Sequence, residues 1–127
     1  MNRCLVTASA CLALAVPAIV AAQVQRNFPA NALRGEIVVT APPEILLNGN
    51  ATHLAPGARI RDQRQMVVMS GALVGQKLVV NYTLEQYGLV LNAWILRPEE
   101  IAKLWPRTPE EAAKWIFDPI AQTWTKP

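Results

Sequence analysis

The chain has 127 residues, 52% of them hydrophobic and 17% charged, with a formal charge of +3. That is one domain's worth of sequence, too apolar for a disordered tail and too weakly charged for a histone-like nucleic-acid coat. Two Cys and a single His leave little material for thiol or metal chemistry.

Residues 1–22 read as a cleaved secretory signal. Arg3 supplies the positive start, Leu5 to Val20 carries no charge, and Val20-Ala21-Ala22 offers small residues before Gln23. The competing reading is an uncleaved span, which needs roughly 20 apolar residues. Thr7, Ser9, Pro17 and the many alanines weaken that alternative. Cleavage after Ala22 predicts a mature protein of residues 23–127, periplasmic or secreted, with no stable membrane anchor. Losing Arg3 lowers the formal charge from +3 to +2, which gives no general pull toward nucleic acid. Cys4 and Cys11 leave with the signal, so no disulfide is expected in an oxidising compartment and stability must come from packing.

Residues 23–33 are polar, aperiodic and contain Pro29, the pattern of an extended arm. Residues 34–97 carry the β signals. A β-branched run at 36–40 is stopped by Pro42-Pro43, and Asn48-Gly49-Asn50 between apolar runs predicts a hairpin. Pro56-Gly57 reads as the next turn, followed by a half-buried strand at 58–61 and another at 66–69 that closes at Ser70-Gly71. In residues 77–83, Leu78, Val80 and Tyr82 share a face. In residues 89–96, Leu89, Leu91, Ala93 and Ile95 do the same. Short strands at this spacing in so few residues predict closure into a small antiparallel barrel, which hides its edges.

Residues 98–127 read as a helical appendix. Thr108-Pro109-Glu110-Glu111 is a capping box with proline at the first helical position, and Ala112, Trp115 and Ile116 would form one stripe. Pro98-Glu99-Glu100-Ile101-Ala102-Lys103 repeats the lettering and Pro106 ends it. Helices this short need docking to persist.

The strings RNFPANALRGEIVV, LLNG, LAPGARIRD, MSGALVGQ, VVNYT and WILRPEE together resemble an uncharacterised family of short secreted proteins of Gram-negative bacteria, over about residues 26–100. The resemblance implies secretion and no particular activity. Leu54 to Gly57, Val74 to Val80 and Gly88 to Ile95 are more loosely similar to small bacterial β-barrel modules. That likeness implies a mainly β fold with an OB-like or SH3-like barrel, and a fold does not imply a function.

Catalytic constellations are thin. Ser70 and His53 are the only such pair after cleavage, and Met69-Ser70-Gly71 lacks the glycine a nucleophile elbow needs. His53 has no companion ligands, so no metal and no cofactor is expected. Glu99-Glu100 and Glu110-Glu111 sit at helix starts, where carboxylates complement the helix dipole. The expectation is therefore a non-enzymatic binding or envelope-accessory module.

The most suggestive cluster is basic. Arg59 and Arg61 project from one face of a strand, Arg64 follows in the loop and Lys77 begins a later strand. Such residues can line an anion-binding groove, with Tyr82, Tyr87 or Trp94 for stacking, or they can be a solvated face that keeps an edge strand from pairing. An anionic glycan or an envelope protein would be the partner. In the tail, Trp115 is expected to seal a helix, and Trp124, outside any pattern, to be free for a partner.

Overall fold

The computed structural model describes residues 25–127, so the expected signal segment lies outside the described residues. Strand β1 (Leu33–Ala41) alternates Leu33, Ile37 and Val39 inward with Arg34, Glu36 and Val38 outward. After Pro42-Pro43 the chain returns as β2 (Glu44–Leu47), and Asn48-Gly49 then turns it into β3 (Asn50–Arg61). Leu47 pairs directly with Asn50, and φ values of 52° at Asn48 and 84° at Gly49 make the two-residue turn that matches strand twist. The expected hairpin is present.

Pro56-Gly57 is not a turn between strands. It is a bend inside β3, where Gly57 takes φ 76° and the register shifts between Leu54 and Arg59. Residues 50–53 pair with β2, whereas Leu54 and residues 59–61 pair with β6 (Val90–Ile95), so one bent strand serves a different barrel neighbour at each end. β4 is only Val67–Val68, and Ser70–Leu73 is a short 3₁₀ turn that buries Leu73.

β5 (Lys77–Leu84) lies between β1 and β6. Leu78, Val80 and Tyr82 face the core as expected. In β6 the expected alternation fails at one residue. Thr83 faces Asn92 while Leu84 faces Val90, so Leu91 is a bulge, and Val90 and Ala93 are the buried pair. The strands run β1-β2-β3-β6-β5 and back to β1, with β3 and β6 parallel. This closed order is that of an OB-type barrel rather than an SH3-like one. The expected antiparallel barrel is thus mainly so.

The tail covers the outer face of β1, β5 and β6. Helix α1 is Pro98–Ile101 and α2 is Pro109–Lys114; the Thr108 hydroxyl accepts from the Glu111 amide at 3.2 Å, as the capping pattern predicts. The expected helical stripe stops short. Trp115 is already extended, and Ile116 is 71% exposed in β7 (Ile116–Asp118), which pairs with β8 (Thr123–Thr125). The Asp118 carboxylate turns this hairpin by accepting from the amides of Ile120 and Ala121. Phe117 and Trp124 pair across the strands and stack with ring centroids 4.7 Å apart.

A second core forms outside the barrel from Phe28, Ala32, Leu96, Trp105 and Trp124. Trp105 meets Phe28, Phe117 and Trp124 edge-on at 5.5–5.7 Å, and its indole donates to the Ala32 carbonyl at 2.8 Å. Trp124 is 7% exposed, so it is a packing residue and not the free tail aromatic that its position suggested. The extended arm is equally embedded: the Phe28 amide donates to Gln122 and the Gln25 side chain donates to the Ile120 carbonyl.

Candidate functional site

The outward row across the barrel reads Arg34 on β1, Asn81 on β5, Trp94 on β6 and Arg61 on β3, each the register partner of the next. The arm, α1 and the second core sit on the first half of this row. They enclose a cavity of about 250 Å³ whose wall includes Arg26, Arg34, Asn81, Glu100, Lys103 and Trp105.

Arg26 holds the arm down. Its Nε donates to Glu100 Oε2 at 2.9 Å and its Nη2 to Glu100 Oε1, while the Asp62 and Ile95 carbonyls accept at 3.0 and 2.8 Å. Glu100 Oε1 also accepts from the Arg97 amide at 2.8 Å, which closes the first turn of α1. Burial pushes the Glu100 carboxyl up, but hydrogen bonds from Arg26 and Arg97 and their charges outweigh it. The net position is below the usual carboxylate range.

Arg34 is buried, and among the described residues its hydrogen-bond partners are all neutral. Its Nε donates to Asn81 Oδ1 at 2.9 Å, and its Nη groups donate to the carbonyls of Glu100, Ile101 and Lys103 at 3.1–3.3 Å. It therefore caps the C-terminal carbonyls of α1, where a cation is favoured. Burial, then Arg107 nearby, lowers its pKa to about 10 against the opposing pull of Glu100, so the guanidinium stays charged at neutral pH. Asn81 is 0% exposed, and its Nδ2 has no hydrogen-bond acceptor among the described residues.

Two shallower depressions adjoin the cavity. One, lined by Gln63, Arg64, Arg97 and Glu99, shares Arg97 and Glu99 with it. The other, lined by Arg107 among others, shares Arg34, Lys103 and Trp105. Three neighbouring depressions thus lie around α1 and form the candidate groove, with Arg64, Arg97, Arg34, Lys103 and Arg107 along their walls. Glu99 is its one carboxylate apart from the Glu100 that Arg26 neutralises.

The residues singled out by sequence fare differently. Of the basic cluster, Arg64 lies in this groove. Arg59 and Arg61 do share the outer face of β3, and the Arg61 guanidinium lies 5.8 Å over Trp94. Phe28 meets the Trp94 ring edge-on at 5.7 Å, so an aromatic pair stands between Arg61 and the cavity. Lys77 is at the other end of β5, paired with Glu36 at 3.6 Å, because four residues separate it from the Asn81 row. Tyr82 cannot stack on a ligand: it is 4% exposed, inside the barrel, where burial raises its phenol pKa against a lowering hydrogen bond with Asn48.

Arg26, Arg34, Asn81 and Arg97 were not indicated by motif, and Glu100 and Lys103 were read only as parts of a short helix. The readable hint was Asn81, a fully polar residue between Val80 and Tyr82 in an apolar strand. His53 is exposed, and among the described residues no three His, Cys, Asp or Glu side chains converge. No helix among them is long and apolar enough to cross a membrane. No protein-family model, curated protein or solved structure matches the chain.

Proposed function

We propose that this protein is a non-enzymatic binding module of the cell envelope, exported to the periplasm or beyond, that holds an anionic glycan in the groove around α1. The observation that carries the reading is the run of cationic side chains from Arg64 to Arg107 across three neighbouring depressions, with the buried Arg34 hydrogen-bonded to no carboxylate among the described residues. Cations spaced along a groove meet successive carboxylates of a linear polyanion. Nucleic acid is the weaker ligand because base stacking needs exposed rings. Trp105 and Trp124 are buried, and Tyr87, the well-exposed aromatic, sits in the β5–β6 turn away from the groove.

The test is retention on immobilised polygalacturonate. Wild type should bind at low salt, elute as salt rises, and ignore a neutral glucan column. The Arg64→Gln/Arg107→Gln variant should elute at clearly lower salt. Equal or stronger retention by single-stranded DNA, or no retention of wild type, would overturn the reading. Export is tested by intact mass: residues 23–127 should be recovered from periplasm, and full-length mass in the membrane fraction would refute it.

A further inference from the structure

We propose that the cavity at the centre of the groove is a pocket for a single carboxylate group, received by Asn81 Nδ2 and the remaining N–H of Arg34. This rests on the anionic-ligand reading above and names the group that the deepest subsite recognises.

A guanidinium has five N–H groups. Four of those on Arg34 are committed, to Asn81 Oδ1 and to three backbone carbonyls of the α1 region. That leaves one. Asn81 adds the amide Nδ2, which is buried with no acceptor among the described residues, an arrangement that is unfavourable unless something relieves it. Both side chains line the same cavity and are tied to each other through Arg34 Nε and Asn81 Oδ1 at 2.9 Å.

The charge balance points the same way. Around the cavity stand Arg26, Arg34, Arg97 and Lys103 against Glu99 and Glu100, an excess of two positive charges. Glu100 is bonded to Arg26, and of the two carboxylates neither is hydrogen-bonded to Arg34. A carboxylate supplies two acceptor oxygens and one negative charge, which matches two spare donors beside a guanidinium whose hydrogen-bond partners among the described residues are all neutral. At about 250 Å³ the cavity is near the small end of ligand clefts and suits one sugar-sized unit. The indole edge of Trp105 and the ring of Phe28 supply its apolar wall.

The discriminating variant is Asn81→Asp. Its Oδ1 can still accept from Arg34 Nε, so the fold is kept, but the donor is replaced by an acceptor and the guanidinium gains a counter-ion. The probe is the monosaccharide D-galacturonate, measured by calorimetry with the full chain, with D-galactose and inorganic sulfate as controls. Saturable 1:1 binding of galacturonate by wild type is expected, with no heat from galactose and at least tenfold weaker binding of sulfate. Asn81→Asp should melt no lower than wild type and lose galacturonate binding at least tenfold. Binding unchanged in Asn81→Asp, or sulfate binding as well as galacturonate, overturns the carboxylate pocket. If polygalacturonate is retained while the monomer does not bind, the pocket fails and the groove stands. If neither binds, both fail.

Discussion

Cutting the Arg26–Glu100 link should release the arm from the barrel and cost a large share of the stability. The Arg26 side chain is 2% exposed and that of Glu100 is 11%, so the pair is well out of water. Arg26→Ala removes four hydrogen bonds, uncovers the Asp62 and Ile95 carbonyls, and leaves Glu100 with the Arg97 amide but without its bidentate partner. Breaking one side of a buried pair costs about 3–5 kcal/mol. With a urea slope of about 2 kcal/mol per M, the midpoint should fall by about 1.5–2.5 M. Tryptophan fluorescence reads it directly, because Trp94 and Trp105 both touch Phe28 two residues along the arm. Replacing both partners by apolar residues of similar size, Arg26→Met with Glu100→Leu, should recover most of the loss, since much of the single-variant penalty is the orphaned charge. A single-variant loss below about 1 kcal/mol would place the pair in solvent and refute the reasoning. So would a double variant no better than the worse single.

Other consequences are sharper in sign than in size. Glu100 has a folded pKa below its ordinary 4.5, so its contribution is complete above that value and is lost as pH falls through the depressed one; acid titration of the melting temperature should show the loss, and Glu100→Gln should flatten it. Gly35→Ala would put a methyl 2.7 Å from Tyr82 Cε1 and 3.0 Å from Asn48 Oδ1, and such overpacking should cost about 1–3 kcal/mol by urea unfolding. Trp124→Ala should cost about 3–5 kcal/mol, whereas Trp124→Phe should cost well under half of that, because the indole Nε1 it removes is buried without an acceptor.

The barrel was legible because its signals are local. Asn48-Gly49, the alternation of Leu78, Val80 and Tyr82, and the Thr108 cap each act within a few residues. What failed was also local in appearance but tertiary in cause. Pro56-Gly57 carries turn chemistry, yet β3 continues because two different strands claim its two ends. The Ala112-Trp115-Ile116 spacing fits a helix, yet pairing of Phe117 with Trp124 recruits the segment into a hairpin. The groove was largely hidden. Arg34 and Asn81 are partners 47 positions apart, and Arg26 and Glu100 are 74 apart, so no window of sequence contains either pair. Arg59 and Arg61 were correctly placed on one face, but only register reveals that Trp94 and Phe28 screen them from the cavity.

The grip of the C-terminal hairpin on the arm also sets an order of assembly. Gln25 and Phe28 bond to residues 95 and 94 positions later, and Trp124 completes the apolar packing beneath them. The barrel can close once β6 has been made, but the wall of the groove cannot, because its floor residue Arg26 is held by α1 and its neighbour Phe28 by the hairpin. Contacts this far apart pay their loop-closure entropy last and come late in folding. A chain emerging from its N-terminus would therefore carry a finished barrel with an incomplete wall until Gln122 and Trp124 arrive. Binding would then report that the hairpin of residues 116–125 had docked.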